Sequence, residues 1–257
     1  MRVGCAAYSY RQYLQGGQMS LEQFVQACRE MGLDGVELTS YYFKTTQPQY
    51  LYDLKRLCFA FGLNISGTAV GSNFTQADAG QRRLHVEMTK HWIDNSVLLG
   101  APCIRVFAGP VPKDGTEEQA FNWAVECLRE VAAYGQQKGV VVALENHGGI
   151  TGTAEQVLKL LGAVNNDWLG INLDFGNFRQ DPYAEFEMCA PYAVTTHAKT
   201  HYGSAEGPVA VDYARVVEIM RNAGYKGYLT IEYEGTEEPR VAVPQFAQQL
   251  LSIVRGV

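Results

Sequence analysis

Short runs of apolar and β-branched residues alternate with amphipathic stretches along the whole chain. The runs Arg2–Ser9, Gly35–Ser40, Asn64–Gly71, Cys103–Gly109, Val140–His147, Leu169–Asn177, Ala193–Thr200 and Gly227–Gly235 read as eight strands. They are nearly continuously apolar, as strands covered on both faces must be. Each is followed by a helical pattern, and no pair is joined by a short hairpin turn. Parallel strands are therefore expected, because only long crossovers return a chain in the same direction. Eight such units predict an α/β fold, a closed (β/α)8 TIM barrel formed as one domain by residues 1–257. An open doubly wound sheet is the alternative, and no GxGxxG follows the first strand to encourage it.

Helix-end signals agree with this count. Ser20 precedes Gln23, Thr116 precedes Gln119 and Thr153 precedes Gln156. Each pair has the spacing at which a hydroxyl and an amide satisfy the orphan N–H groups of a helix start. Gly32, Gly62, Gly100 and Gly224 fall where helices should stop, since glycine accepts the left-handed conformation there.

Composition narrows the function classes. Apolar residues make up 47% and charged residues 19%, ordinary values for a globular protein with a large core. The net charge of −6 disfavours nucleic acid as a partner, because an acidic surface repels phosphate backbones. No stretch is long and apolar enough to span a membrane. The six cysteines are scattered, none at CxxC spacing, and read as reduced apolar residues of a cytoplasmic protein. No leader pattern opens the sequence.

Polar residues late in apolar runs are the informative ones, because a barrel carries its active site at the C-terminal ends of its strands. The fifth run, VVVALENH, carries Glu145; the sixth, GINLDFGN, carries Asp174. The seventh, AVTTHAKT, carries His197, and the eighth, YLTIEYEG, carries Glu232. Side chains alternate across a strand, so Glu145 shares its face with Ala143 and His147, Asp174 with Asn172 and Gly176. By the same parity His197 goes with Thr195 and Lys199, and Glu232 with Thr230 and Glu234. These small or polar sets suit a barrel interior, whereas Val142, Leu144, Leu173 and Ile231 suit the layer under the helices. Three carboxylates at one point repel one another unless a cation joins them. Together with an imidazole they predict one divalent metal ion, Mn²⁺, Mg²⁺, Zn²⁺ or Fe²⁺.

In ALENHGG, NLDFGN, THAK and TIEYEG the chain resembles the sugar phosphate isomerase/epimerase group of the xylose isomerase-like barrels, also called the AP endonuclease family 2 fold. That resemblance implies metal ligands at Glu145, Asp174, His197 and Glu232. It also implies that Glu145 and Glu232 are the catalytic pair, moving a proton on opposite faces of a small sugar. A metal chelated by a carbonyl and a neighbouring hydroxyl acidifies the adjacent C–H and stabilises the enediolate, which a carboxylate can form and another can reprotonate. The ketose 3-epimerases of the group carry a further Glu, a His and an Arg where this chain has Thr151, Asn177 and Gly203. The resemblance thus implies a shared core with different substrate contacts. The nuclease branch needs extra histidines on the early strands, and here those strands have none.

His147, Asn177, Lys199, Phe107 and Tyr8 are the candidate substrate-binding residues. Lysine aimed into a barrel mouth is costly unless paired, with Glu234 as its structural partner otherwise. Aromatic rings near strand ends, Tyr8, Tyr10, Phe107 and Phe178, can stack on sugar C–H faces or simply pack. Glu37 is expected either to contact substrate or to pair with Arg105. The functions weighed are a metal-dependent isomerase or epimerase of a small sugar, a lyase on a 3-oxo-sugar or glycoside, and a non-catalytic sugar-binding barrel. The expected partners are a small-molecule sugar and, left open, further copies of the same chain as a homo-oligomer.

Overall fold

The computed structural model describes residues 1–179 and 182–256. Its core is a closed parallel barrel of β1 (Arg2–Ala6), β2 (Gly35–Thr39), β3 (Asn64–Ala69), β4 (Cys103–Val106), β5 (Val141–Glu145), β6 (Leu169–Asp174), β7 (Ala193–Ala198) and β10 (Tyr228–Ile231). β1 pairs with both β2 and β10, which closes the ring. Around it lie α1 (Arg11–Gln15), α2 (Leu21–Glu30), α3 (Pro48–Ala60), α4 (Ala79–Leu99), α5 (Glu117–Lys138), α6 (Ala154–Val164), α7 (Pro182–Cys189), α8 (Tyr213–Asn222) and α9 (Pro239–Arg255). Among the described residues no helix is long and apolar enough to cross a membrane.

The three capping boxes form as expected at the starts of α2, α5 and α6. Gly32, Gly62, Gly100 and Gly224 all adopt positive φ beyond helix ends. α2 shows how periodicity becomes packing: Leu21, Phe24, Val25 and Cys28 repeat at helical spacing and are all buried. Each large side chain of that kind contributes roughly 1.5–3 kcal/mol by leaving water. Val142, Leu144, Leu173 and Ile231 do pack into the apolar layer between sheet and helices. At the base, the Tyr228 ring lies against Gly4 and Gly35. A Cβ on Gly35 would lie 2.7 Å from that ring and 3.0 Å from the Asn64 carbonyl, so the position admits only hydrogen.

Two expectations are corrected. The strands stop one to four residues earlier than the apolar runs: after Ala6, for example, the chain turns into a 3-10 helix over Ala7–Tyr10. Apolar patterning continues past the last ladder bond because the loops over the mouth are themselves packed. The chain also contains a hairpin, β8 (His201–Ser204) and β9 (Gly207–Ala210), between β7 and α8. Its turn lacks Asn-Gly chemistry; instead the Ser204 hydroxyl bonds the Gly207 carbonyl and Gly207 supplies φ +120°.

Candidate metal centre

Seven charged or imidazole side chains are buried among the described residues: Glu37, Arg105, Glu145, Asp174, His197, Lys199 and Glu232. All seven sit in one connected cluster inside the barrel mouth. The strands explain the convergence. Glu145 and Asp174 are the last residues of β5 and β6, His197 is next to last on β7, and Glu232 directly follows β10. Asp174 pairs in register with His197, and Thr230 pairs with His197 from the other side.

One ligand atom each from Glu145, Asp174, His197 and Glu232 lies within 4.8 Å of all the others. Nδ1 of His197 is the centre of the group, 3.3 Å from Glu145 Oε2, 3.4 Å from Glu232 Oε2 and 3.8 Å from Asp174 Oδ2. Its other nitrogen, Nε2, lies 3.1 and 3.2 Å from the two oxygens of Glu37. A nitrogen facing a carboxylate so closely carries the proton and donates it. Nδ1 is left to face the other three carboxylates, holding a proton in the metal-free cluster and offering its lone pair once a cation takes that proton's place.

The donor set fits a divalent cation. Nδ1 of His197 and Oδ2 of Asp174 are buried and have no hydrogen-bond partner among the described residues. Native proteins rarely leave such atoms without one. Four buried carboxylates face two permanent buried cations, Arg105 and Lys199, leaving two negative charges in excess. A single divalent ion cancels that excess, and oxygen donors with one imidazole suit Mg²⁺, Mn²⁺, Zn²⁺ or Fe²⁺.

The acid–base balance points the same way. Burial raises the Asp174 carboxyl, and the neighbouring Glu145 and Glu232 help to hold it up at about 7 against the pull of Lys199. Burial acts against the imidazolium of His197, but Glu232, Glu37 and Glu145 outweigh it and hold His197 well above its usual value. Without a cation, the cluster thus recruits protons. Burial also opposes ionisation of Glu145 and Glu232. For Glu145, Arg105 and His197 overcome it and keep the group below the usual carboxylate range. For Glu232, His197 and Lys199 do so more strongly.

Each of these two glutamates has its own cation. Arg105 Nε lies 3.2 Å from Glu145 Oε2, and Lys199 Nζ lies 2.7 Å from Glu232 Oε2. Glu145 also accepts from Asn172 Nδ2 at 2.9 Å. Asn146 clamps the ends of β5 and β6 together, donating to the Asp174 carbonyl and accepting from its N–H. Gly176 N–H donates to Asp174 Oδ1 at 2.7 Å, which fixes the carboxylate plane.

The five residues expected to bind substrate lie around this cluster. Asn177 Nδ2 is 3.4 Å from Glu145 Oε1. Lys199 bonds Glu234 at 2.5 Å as well as Glu232, so its structural partner and its place in the cluster coexist. His147 is exposed at the rim and stacks on Phe107 at 4.2 Å between centroids. Phe107 in turn carries the Arg105 guanidinium 4.0 Å above its ring. Tyr8 is half-buried beside Arg11, its hydroxyl raised by burial first and by Glu234 next. Tyr10 and Phe178 instead turn into the apolar core, against Phe24 and Phe186. His201 is exposed on the hairpin.

Of the two readings of Glu37, the pair with Arg105 is absent: Glu37 engages His197 and Arg105 engages Glu145. β3 separates β2 from β4, and Arg105 aligns with Ala143, two residues before Glu145 on the same face. Sequence reasoning also missed Asn146. Its signal was present, because a polar residue directly after Glu145 has the opposite parity and can reach only the neighbouring strand end.

A family profile described as xylose isomerase-like TIM barrel matches residues 25–251, and the chain belongs to that family. No curated protein sequence matches it. Among solved structures, D-psicose 3-epimerase from Clostridium cellulolyticum H10, crystallised with D-tagatose, superposes with a TM-score of 0.82 at 17% identity, covering 100% of this chain and 99% of that one. The probable 3-DHS dehydratase of petrobactin synthesis from Bacillus anthracis gives 0.75 at 18% identity, covering 99% of each chain. A xylose isomerase-like barrel from Mycobacterium smegmatis in complex with magnesium gives 0.76 at 16% identity, covering 99% of this chain and 97% of that one. At these identities the likeness concerns the fold.

Proposed function

We propose that this barrel is an enzyme that isomerises or epimerises a small sugar or sugar derivative by moving a proton next to a carbonyl. The observation that carries this reading is the gathering of all seven buried charged side chains at one site, with two glutamates held ionised on either side of His197 Nδ1. Glu145, Asp174, His197 and Glu232 are the residues that would hold a divalent metal. When bound, such an ion polarises a substrate carbonyl and stabilises the negative charge that develops as the neighbouring C–H is lost.

The remaining work falls to the chain. A general base must be ionised and within reach of the proton it takes. Arg105 and Asn172 keep Glu145 ionised and oriented, and Lys199 does the same for Glu232. One glutamate removes the proton and the other returns it; return to a different face or carbon sets epimerisation or isomerisation. Lys199 and Asn177 stand where substrate hydroxyls can meet them. The Phe107–His147 ring pair stands at the rim, where a sugar C–H face can meet it.

A second reading, elimination from a 3-oxo-sugar or glycoside, uses the same proton abstraction followed by loss of a β substituent. It gains support from the dehydratase of like fold and from Thr151, Asn177 and Gly203 standing where ketose 3-epimerases have other residues. Incubation of the metal-loaded protein with ketoses and 3-oxo-sugars in D₂O decides. Deuterium incorporated without loss of mass supports isomerisation or epimerisation. A released aglycone or water supports elimination. Exchange that persists unchanged in Glu232→Gln defeats both.

A further inference from the structure

A groove of about 570 Å³ opens beside the cluster, within the range of about 300–1,000 Å³ usual for small-molecule sites. Its inner end is formed by Asn177 and Lys199, the residues that touch Glu145 and Glu232 respectively. Its outer end is formed by Gln245 and Gln249 on α9. Anything filling this groove would therefore be attached to whatever lies against the two glutamates.

The polar lining selects by charge. Among the described residues Lys199 is the one lysine or arginine that lines the groove, and Glu232, Glu234 and Asp174 already hold its ammonium at 2.7, 2.5 and 3.5 Å. Glu234 and Glu237 add exposed negative charge to the wall. A phosphate or carboxylate placed here would meet two acids and no unengaged lysine or arginine, with the exposed His201 as the one imidazole among the described lining residues. Hydroxyl groups meet the opposite situation, because carboxylates accept from them and primary amides both donate and accept.

We infer that this groove is a subsite for an uncharged, hydroxyl-rich substituent of the substrate, such as a second sugar ring. On that inference the protein acts on neutral glycosides or disaccharide-like ketoses in preference to sugar phosphates. The inference rests on the sugar reading of the metal centre and adds the substrate class. A second hollow of about 860 Å³ shares only Asn177 with this groove and contains Arg179 and His147 together with Glu155 and Glu185. It is the place where a charged substituent would have to go instead.

The test is calorimetric binding to the Mg²⁺-loaded protein of D-fructose, D-fructose 6-phosphate and neutral ketose-containing disaccharides such as turanose and lactulose. At least one disaccharide should bind at least tenfold tighter than D-fructose, and the phosphate no tighter than D-fructose. Gln249→Trp, at an exposed position on the α9 wall of the groove, should bring that disaccharide down to the D-fructose level and leave D-fructose, which does not enter the subsite, unchanged. Tightest binding by the phosphate overturns the inference, as does equal binding of disaccharide and monosaccharide, or a disaccharide affinity indifferent to Gln249→Trp. If no sugar binds while Mg²⁺ does, the sugar reading itself falls and takes this inference with it.

Discussion

The two halves of the barrel contribute to the site in different ways. β5, β6, β7 and β10 supply all four donor residues at or just beyond their C-terminal ends. β2 and β4 supply Glu37 and Arg105, each at the third position of its strand, and each touches a donor residue, His197 or Glu145. One half presents the ligand atoms to a common point; the other presents none and adds only charged partners to two of the residues that carry them. Buried partners of this second kind orient a histidine ring and set its tautomer, and a metal site depends on them nearly as much as on its ligands. Glu37, 3.1 and 3.2 Å from Nε2 of His197, is placed to hold a proton there, which would leave Nδ1 for a cation at the shared point.

That division can be broken from either side. The largest effect is expected on the donor side: Glu232→Gln should lower turnover by about 10²–10⁴-fold, the usual loss for a positioned acid or base, in steady-state assays on a substrate found by the D₂O screen. On the supporting side, Arg105→Met leaves Glu145 buried without its cation. Metal-free protein should lose about 3–5 kcal/mol of stability in denaturant titration, and a smaller loss would mean that Asn172 alone suffices. Glu37→Ala should weaken metal binding by about 10–100-fold in calorimetry, with Glu37→Gln recovering much of it because an amide oxygen still accepts the Nε2 proton. Equal affinity in wild type and Glu37→Ala would erase the proposed difference between the halves.

The smallest effect concerns pH. Burial, Glu145 and Glu232 hold Asp174 at about 7, so below that pH a metal must displace a proton from it. Affinity should fall by at least about tenfold per unit below pH 7, where Asp174 is protonated, and should go on rising above pH 7 while a metal still displaces the proton of His197. His197, whose protonated form is also stabilised in the metal-free cluster, adds to the fall in the same direction. A flat profile from pH 6 to 8 would place the bound ion elsewhere.

The same division explains what the sequence could show. Glu145, Asp174, His197 and Glu232 are polar residues late in otherwise apolar runs, a signal local to each strand, and alternation alone assigns them to the interior. Glu37 and Arg105 were visible as charges inside strands, but their partners were not. Pairing between β2 and β7, which are not neighbours in the sheet, exists only once the barrel has closed and given each strand its place around the axis. The barrel itself was legible because eight apolar runs, three capping boxes and four helix-ending glycines agree independently. The hairpin over the rim was not, since its residues are mostly exposed and its turn is held by one serine hydroxyl.

The central claim is that two excess buried negative charges at the mouth call for one divalent ion. Metal content of the extensively dialysed protein after loading with Mg²⁺ or Mn²⁺, read together with the thermal midpoint with and without EDTA, tests it most directly. One equivalent per chain, a midpoint lowered by EDTA, and loss of both effects in Asp174→Asn are the expected results. A chain that retains no ion, and whose midpoint neither metal nor EDTA moves, would contradict the account.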